Sequence, residues 1–305
     1  MPGHIAILLG TFNGGEFLAA QLDSIQQQTH QNWKLYVSDD GSDDQTLSIL
    51  HKYIEQWGPD KIQVFTGLQQ GLAQNYRALI QNVDICADYF AFCDQDDVWH
   101  SDKMEKATAW LTTQDAAPAL YCSRLNLINA KGDAIGISRN NPRRPSFRNA
   151  LVENVASGNT IVINQHARNL LARSFTNHII IHDWASYILV TAMGGTVFFD
   201  PTPHIDYRQH DHNIIGVPTG IAALQLRMER LLNGTISHWN AQHIDMLAPI
   251  AHEMPPAQAK IFMHFCKMHR QNGLLQIFHL FAAGLYRQTF SGQWGLWLAA
   301  LLSKN

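Results

Sequence analysis

Through the first two-thirds of the chain, short apolar runs alternate with stretches in which apolar side chains recur every three or four positions. His4–Leu9, Lys34–Ser38, Ile62–Thr66 and Tyr89–Cys93 have the length and composition of buried strands. Between them, Glu16–Gln28 places Phe17, Leu18, Leu22 and Ile25 on one helical stripe. The segment after Asp44 does the same with Leu47, Leu50, Tyr53, Ile54 and Trp57, and a third helix is expected from the 69–77 stretch to about Ile85. Repeated strand–helix units predict an α/β domain around a doubly wound, mostly parallel sheet. Leu120–Ile128 should continue that sheet, and Asn129–Ser146, polar and Pro-containing, reads as a long loop that can order over a ligand. A helix over Phe147–Val155, a strand over Ser157–Ile163, a helix over Gln165–Arg173 and short strands at Val197–Phe199 and His204–Tyr207 complete this part.

From Gly220 the pattern is purely helical: Ile221–Leu232, Trp239–Ala251, Ala257–Met268, Leu274–Tyr286 and Gly295–Leu302. The last two are strongly apolar, yet at about 13 and 8 residues they fall short of the roughly 20 a membrane span needs. Core or dimer packing is the expectation, with a helix pair lying on a membrane surface as the alternative. The division expected is an α/β domain over residues 1–219 and a helical region over 220–305.

At 305 residues, 46% apolar and 15% charged, the chain is long enough to bury a sizeable core and is no disordered protein. A net charge of −3 without a basic block gives no reason to expect nucleic acid, although Arg139, Arg143, Arg144 and Arg148 cluster locally. The four cysteines (Cys86, Cys93, Cys122, Cys266) have no paired spacing, which suggests reduced residues in a cytoplasmic protein. The start carries no basic, apolar leader pattern.

The chemistry gathers where strands end. Tyr89–Cys93 is followed by Asp94, Asp96 and Asp97, and this edge of an open α/β sheet is where ligands bind. Carboxylates so close repel, and a divalent cation with oxygen ligands would hold them; the alternative is a polar turn before a helix capped by Ser101. The first strand ends in Gly10-Thr11-Phe12-Asn13-Gly14-Gly15, neither a Walker loop nor a dinucleotide fingerprint, leaving an anion cradle or a plain tight turn. Asp39 and Asp40 follow the second strand, where a carboxylate can accept the ring N–H of a pyrimidine base. Ser42 or Asp43 can cap the next helix. Asp183 follows an apolar run at a helix start, where it can serve as N-cap, and 208–213 (Arg-Gln-His-Asp-His-Asn) is rich in phosphate- and metal-binding groups.

Taken together, Gly-Thr-Phe-Asn-Gly, Ser-Asp-Asp-Gly-Ser-x-Asp, Cys-Asp-Gln-Asp-Asp-Val-Trp, His-Asp-Trp and Tyr-Arg-Gln-His-x-x-Asn resemble family 2 inverting glycosyltransferases of the GT-A fold. The wording is nearest the rhamnosyltransferase-like branch, and the resemblance covers roughly residues 4–215. It implies that Thr11, Asn13, Asp39, Asp40, Asp94, Gln95 and Arg208 bind a nucleotide-sugar, with Asp39 at the uracil or thymine base. It implies that Asp94 and Asp96, with His210 as a further ligand, hold Mn²⁺ or Mg²⁺, with Asp97 beside them. Asp183 would be the general base, kept ionised if its neighbour His182 is protonated. The implied donor is dTDP-L-rhamnose or a UDP-sugar and the acceptor a cell-surface or lipid-linked glycan. The place of work expected is the cytoplasm, with peripheral contact at the inner face of the cytoplasmic membrane as the option a lipid-linked acceptor would favour. Two positions depart from the pattern: Gly10 stands where many relatives have Pro, and His182 where they carry a second acid. Two rival readings compete. Asp94-Gln95-Asp96-Asp97-Val98 also fits a haloacid-dehalogenase-like phosphotransferase, and a transferase-like module could bind a nucleotide-sugar or glycan without turnover.

Overall fold

The computed structural model describes residues 3–114, 116–176, 179, 181–210 and 235–301. The expected helix over Ile221–Leu232, Asp211, His212, Asn213 and the expected helix end at Leu302 lie outside these residues. Strands β1 (Ile5–Thr11), β2 (Trp33–Asp39), β3 (Ile62–Thr66) and β4 (Tyr89–Cys93) alternate with helices α1 (Leu18–Gln26), α2 (Thr46–Trp57) and α3 (Leu72–Gln81). β5 (Val98–Trp99) leads to α4 (Lys103–Leu111), β6 (Ala119–Ser123), β7 (Asn126–Asn129), β8 (Ala134–Ile137) and α5 (Phe147–Ala150). β9 (Val162–Asn164), α6 (Gln165–Ser174), α7 (His182–Ala192), β10 (Thr196–Asp200) and β11 (Ile205–Gln209) follow. Four further helices are α8 (Thr235–Leu247), α9 (Pro256–Arg270), α10 (Leu274–Ala283) and α11 (Phe290–Leu301).

The main sheet has seven strands in the order β10-β6-β9-β4-β1-β2-β3, parallel except for β9, which runs antiparallel to both β4 and β6. Strand alternation sends Ile5, Ile7 and Leu9 of β1 to one face and Ala6 and Leu8 to the other. The first face packs α1, α2 and α4; the second packs α3, α6 and α7 and also receives Leu247, Phe262, Phe265, Leu280 and Leu296 of the C-terminal helices. A second sheet, β5-β11-β7-β8, stands beside the first. The chain passes from the first sheet to the second three times, from β4 to β5 through the acidic turn, from β6 to β7 and from β10 to β11.

Several expectations need correction. Leu120–Ile128 is two strands in two sheets, broken at residues 124–125. The supposed loop 129–146 begins as a hairpin, because β8 pairs antiparallel with β7. All four β8 residues are exposed and one is Gly136, so the stretch lacks the apolar signature of a core strand. The arginines of the loop are anchored by protein partners: Arg139 pairs with Glu153 at 2.7 Å, and Arg143 stacks on Tyr286 at 3.8 Å. α5 stops at Ala150, and most of the strand expected at Ser157–Ile163 is a single 3₁₀ turn, Gly158–Thr160, ahead of the short β9.

Candidate active site

Parallel pairing aligns the strand ends. Thr11 of β1 lies opposite Asp39 of β2, and Leu9 lies opposite Cys93, so the acidic turn opens next to the Gly-rich turn. The antiparallel pairing of β11 with β5 (Asp206 with Val98) then carries Arg208 and His210 over Asp96 and Asp97, more than 110 residues away in sequence. α7 brings Asp183 to the same edge.

The Gly-rich turn is a brace, not an anion cradle. Its amides are all taken: Phe12 N–H by Gln95 Oε1 (2.9 Å), Asn13 N–H by Ser42 Oγ (2.9 Å), Gly14 N–H by Thr46 Oγ1 (2.8 Å) and Gly15 N–H by Asp44 Oδ2 (2.8 Å). Gln95 answers with Nε2 to the Phe12 carbonyl at 2.9 Å, so one side chain ties the acidic turn to the first strand. A Cβ on Gly14 would sit 2.3 Å from Gln95 Oε1, so any side chain there would have to displace the Gln95 amide. Asn13 takes a left-handed φ of 47° and accepts from Asp43 N–H with its side chain.

Asp39 is also internally satisfied. Oδ1 accepts from Thr11 Oγ1 (2.8 Å) and Ser42 Oγ (2.6 Å), and Oδ2 from the amides of Gly41 and Ser42. Asp40 accepts from Gln69 N–H (2.7 Å) and Gly71 N–H (2.8 Å), fixing the loop before α3. Neither Ser42 nor Asp43 caps α2; Asp44 Oδ1 takes the Thr46 amide instead. Ser101 does not cap α4 either, whose first flanking residue is Asp102.

Three carboxylates of the acidic turn have three different settings. Asp97 is fully buried, with Oδ2 accepting from Asn159 Nδ2 and Oδ1 from the Arg208 amide, so it supports the turn from beneath and is no free ligand. Burial, then the charges of Asp96 and Asp94, pushes its carboxyl well up. Asp94 accepts from Tyr76 Oη at 2.8 Å and is pushed up to about 6 by burial and by Asp96. Asp96 Oδ2 lies 2.8 Å from His210 Nε2. Behind the turn, the Lys103 ammonium is 1% exposed, 3.3 Å from the centroid of the Trp99 ring, and pushed down to about 7 by burial.

Arg208 is braced as well: Nε donates to the Asp96 carbonyl (3.0 Å), Nη1 to the Ala130 carbonyl (3.0 Å), and the guanidinium stacks over Phe17 at 4.8 Å. Phe17, expected on the buried stripe of α1, precedes that helix and forms a shelf under both Arg208 and His210, whose ring is 4.9 Å away.

Asp183 lies within the first turn of α7, after the flanking residue Ile181, so it is no N-cap. Its Oδ2 accepts from Gly158 N–H at 3.1 Å and its Oδ1 from the Trp184 amide. Burial, with the charge of Asp94 adding to it, pushes its carboxyl up to about 7. His182 gives it no help. That ring is buried, stacked on Tyr76 at 3.9 Å with both nitrogens unpartnered, and burial pushes it down to about 3, so it is neutral. The turn Gly158-Asn159 thus bridges Asp183 and Asp97. Tyr76, Lys103 and Asn159 reach the site through packing alone, and no spacing in the sequence announces them.

The donor set suits a hard cation. Among the described residues no three His, Cys, Asp or Glu side chains converge to hold a metal unaided. Asp94 and Asp96 leave two carboxylates on the turn, and Mg²⁺-type ions are commonly held by one or two carboxylates with substrate phosphates completing the coordination.

Residues 6–175 match the Glycosyl transferase family 2 profile. The chain belongs to that family. It is a glycosyltransferase of the GT-A fold acting on nucleotide-sugars, and the phosphotransferase and non-catalytic readings fall away. The dTDP-rhamnosyl transferase RfbG of Shigella flexneri is 26% identical over 238 residues, 74% of this chain and 79% of its own length. In fold, the chain resembles Staphylococcus aureus TarS 1–349 in complex with UDP (TM-score 0.56, 14% identity, covering 87% of this chain and 71% of that one). It also resembles the mannosyltransferase PcManGT of Pyrobaculum calidifontis in complex with GDP-Man and Mn²⁺ (TM-score 0.53, 17% identity, 93% and 73%).

Proposed function

We propose that this family 2 enzyme transfers L-rhamnose from dTDP-L-rhamnose to a hydroxyl of a bacterial cell-surface polysaccharide or lipid-linked glycan, by single displacement with inversion. The observation that carries the mechanism is the Gly158–Asn159 bridge, which sets Asp183 and the acidic turn in one fixed frame. The donor sugar is supported by the likeness to the rhamnosyl transferase of Shigella. A UDP-sugar is the competing donor, since uracil and thymine present the same ring N–H.

Residues 1–219 carry the chemistry in this reading. Asp94 and Asp96 would hold Mn²⁺ or Mg²⁺, and His210, already hydrogen-bonded to Asp96, would orient that carboxylate or join it as a ligand. When bound, the cation neutralises charge on the departing nucleoside diphosphate. Arg208, fixed by Phe17 and two carbonyls, supports the same charge from the side of the second sheet. Thr11, Asn13, Asp40 and Gln95 hold the strand ends at the nucleotide side in register. Four donors fill the lone-pair directions of Asp39, so its acceptance of a base N–H entails release of the Thr11 or Ser42 hydroxyl. Asp183 takes the proton of the acceptor hydroxyl. A carboxyl raised to about 7 is a stronger base than an ordinary aspartate and is still ionised for much of the population at neutral pH.

The test is transfer from dTDP-L-rhamnose and UDP-sugars to a lipid-linked glycan acceptor, with the anomeric configuration of the product read by NMR. An inverted rhamnoside supports the proposal; a product that retains configuration, or turnover with UDP-sugars alone, overturns the mechanism or the donor respectively.

A further inference from the structure

Charge is unevenly divided along this chain. All 25 Asp and Glu precede Met254, whereas Lys260, Lys267, Arg270, Arg287 and Lys304 follow it. The last fifty residues are therefore cationic without a single acid. The same segment carries an unusual surface. Among the described residues, sixteen large apolar side chains are exposed, and eight of these lie on α10 and α11. Leu274, Phe278 and Phe281 lie at helical i, i+4, i+7 spacing on α10, with Leu275 beside them; Phe290, Trp294, Leu298 and Leu301 make one stripe along α11. Exposure is 82% at Leu274, 76% at Phe290 and 60% at Phe278 and Phe281. The two stripes are joined by ring contacts, Phe281 to Trp297 at 5.9 Å and Trp297 to Trp294 at 5.1 Å, so they form one face.

The link between the helices is bedded on the arginine cluster that the catalytic reading leaves unused. Arg143 stacks on Tyr286 at 3.8 Å, and its Nη1 donates to the Arg287 carbonyl at 3.3 Å. Tyr286 Oη donates to the Arg144 carbonyl, and the Arg148 guanidinium lies against Gly284. Arg143, Arg144, Arg148, Lys267 and Arg270 are all exposed. An aromatic and aliphatic face on a segment without acids, its link bedded on exposed arginines and with the nearby Glu153 buried, has the composition of helices that lie in the headgroup layer of an anionic bilayer. Neither helix spans: α10 has 10 residues and α11 has 12, and no described helix is long and apolar enough to cross a membrane.

We propose that the α10–α11 face docks on the surface of an anionic lipid bilayer, the aromatic stripes entering the headgroup layer and the arginine cluster meeting lipid phosphates. A second copy of this chain would bring the same arginine cluster and acid-free segment against itself, and charge argues against that occupant.

Cosedimentation of the full chain with vesicles tests this without donor or acceptor, so its outcome is independent of the transfer reaction. Vesicles of equal parts phosphatidylcholine and phosphatidylglycerol should pellet the protein, and neutral phosphatidylcholine vesicles should not. High salt should weaken the binding. F278S/W294S should lower the partition coefficient about tenfold or more, and R144E/R270E should remove the preference for anionic vesicles. Because all four residues are exposed, both variants should melt within a few degrees of the parent. Equal binding to neutral vesicles, binding unaffected by F278S/W294S, or no binding to any vesicle would overturn the proposal. In the last case, a dimer in sedimentation velocity that F278S/W294S dissociates would assign the face to a second copy.

Discussion

At the C-terminal edge of the main sheet, polar side chains are held by one another; on the C-terminal helix pair, apolar side chains point outward among cations. Asp39, Asp40 and Asp97 have both carboxylate oxygens occupied by protein donors, and the amides of the Gly-rich turn are occupied too. On α10 and α11, Phe278, Phe290 and Trp294 expose more than half of their surface. The first region has used its bonding capacity to fix geometry, so its function is lost by small displacements. The second has left its driving force unspent, and its side chains can be changed without disturbing the fold. This contrast separates residues whose substitution should stop the reaction from residues whose substitution should only move the enzyme's location.

The largest expected effect is at Asp183. Asp183→Asn should lower kcat by about 10²–10⁴ with nucleotide binding retained. The same variant should be more stable than the parent, and the sign follows from the raised carboxyl. Between its ordinary value near 3.8 and about 7, the folded form of the metal-free protein keeps a proton that the unfolded chain has released. Parent stability therefore falls as pH rises through that window, and the advantage of Asp183→Asn should grow to roughly 2–4 kcal/mol above pH 7. Thermal melts at pH 5 and pH 8 measure it; an equal gain at both would break the assignment. In turnover, kcat/KM of the parent should rise with pH along a limb at or below about 7, the cation drawing the value downward.

Next in size is the brace. Gly14→Ala forces the Gln95 amide away from Phe12 and severs two hydrogen bonds, so we expect a loss of about 1–3 kcal/mol by denaturant titration and a raised KM for the donor. Stability within 0.5 kcal/mol of the parent, roughly the effect of an ordinary surface change, would show the turn to be more tolerant than its contacts imply. The smallest effect is expected from F278S/W294S, with kcat on a soluble acceptor within about twofold of the parent and stability within roughly 0.5 kcal/mol. A large loss there would erase the contrast between the two regions.

Much of the catalytic half was legible because its elements are local. Tyr89–Cys93 reads as a buried strand from its own composition, the strand-end positions of Asp39 and Asp94 follow from where the apolar runs stop, and Asp183 falls at a helix start as its apolar lead-in suggests. What escaped was fixed by partners distant in sequence. β5 and β8 are 2 and 4 residues long and exist through pairing with β11 and β7. Phe17 satisfied a helical stripe yet lies under Arg208, because α1 begins one residue later and β11 crosses there. His182 looked like a charged neighbour for Asp183, and only burial against Tyr76 reveals it as neutral.

The central claim, a donor site built on Asp94 and Asp96, is tested most directly by thermal shift with dTDP, with and without Mn²⁺, in the parent and in Asp96→Ala. At 100 times its dissociation constant the nucleotide should stabilise the parent by about 2.7 kcal/mol. The account predicts a shift that needs Mn²⁺, is abolished by EDTA and is absent in Asp96→Ala. An equal shift in the variant, or none in the parent with dTDP or UDP, would contradict it.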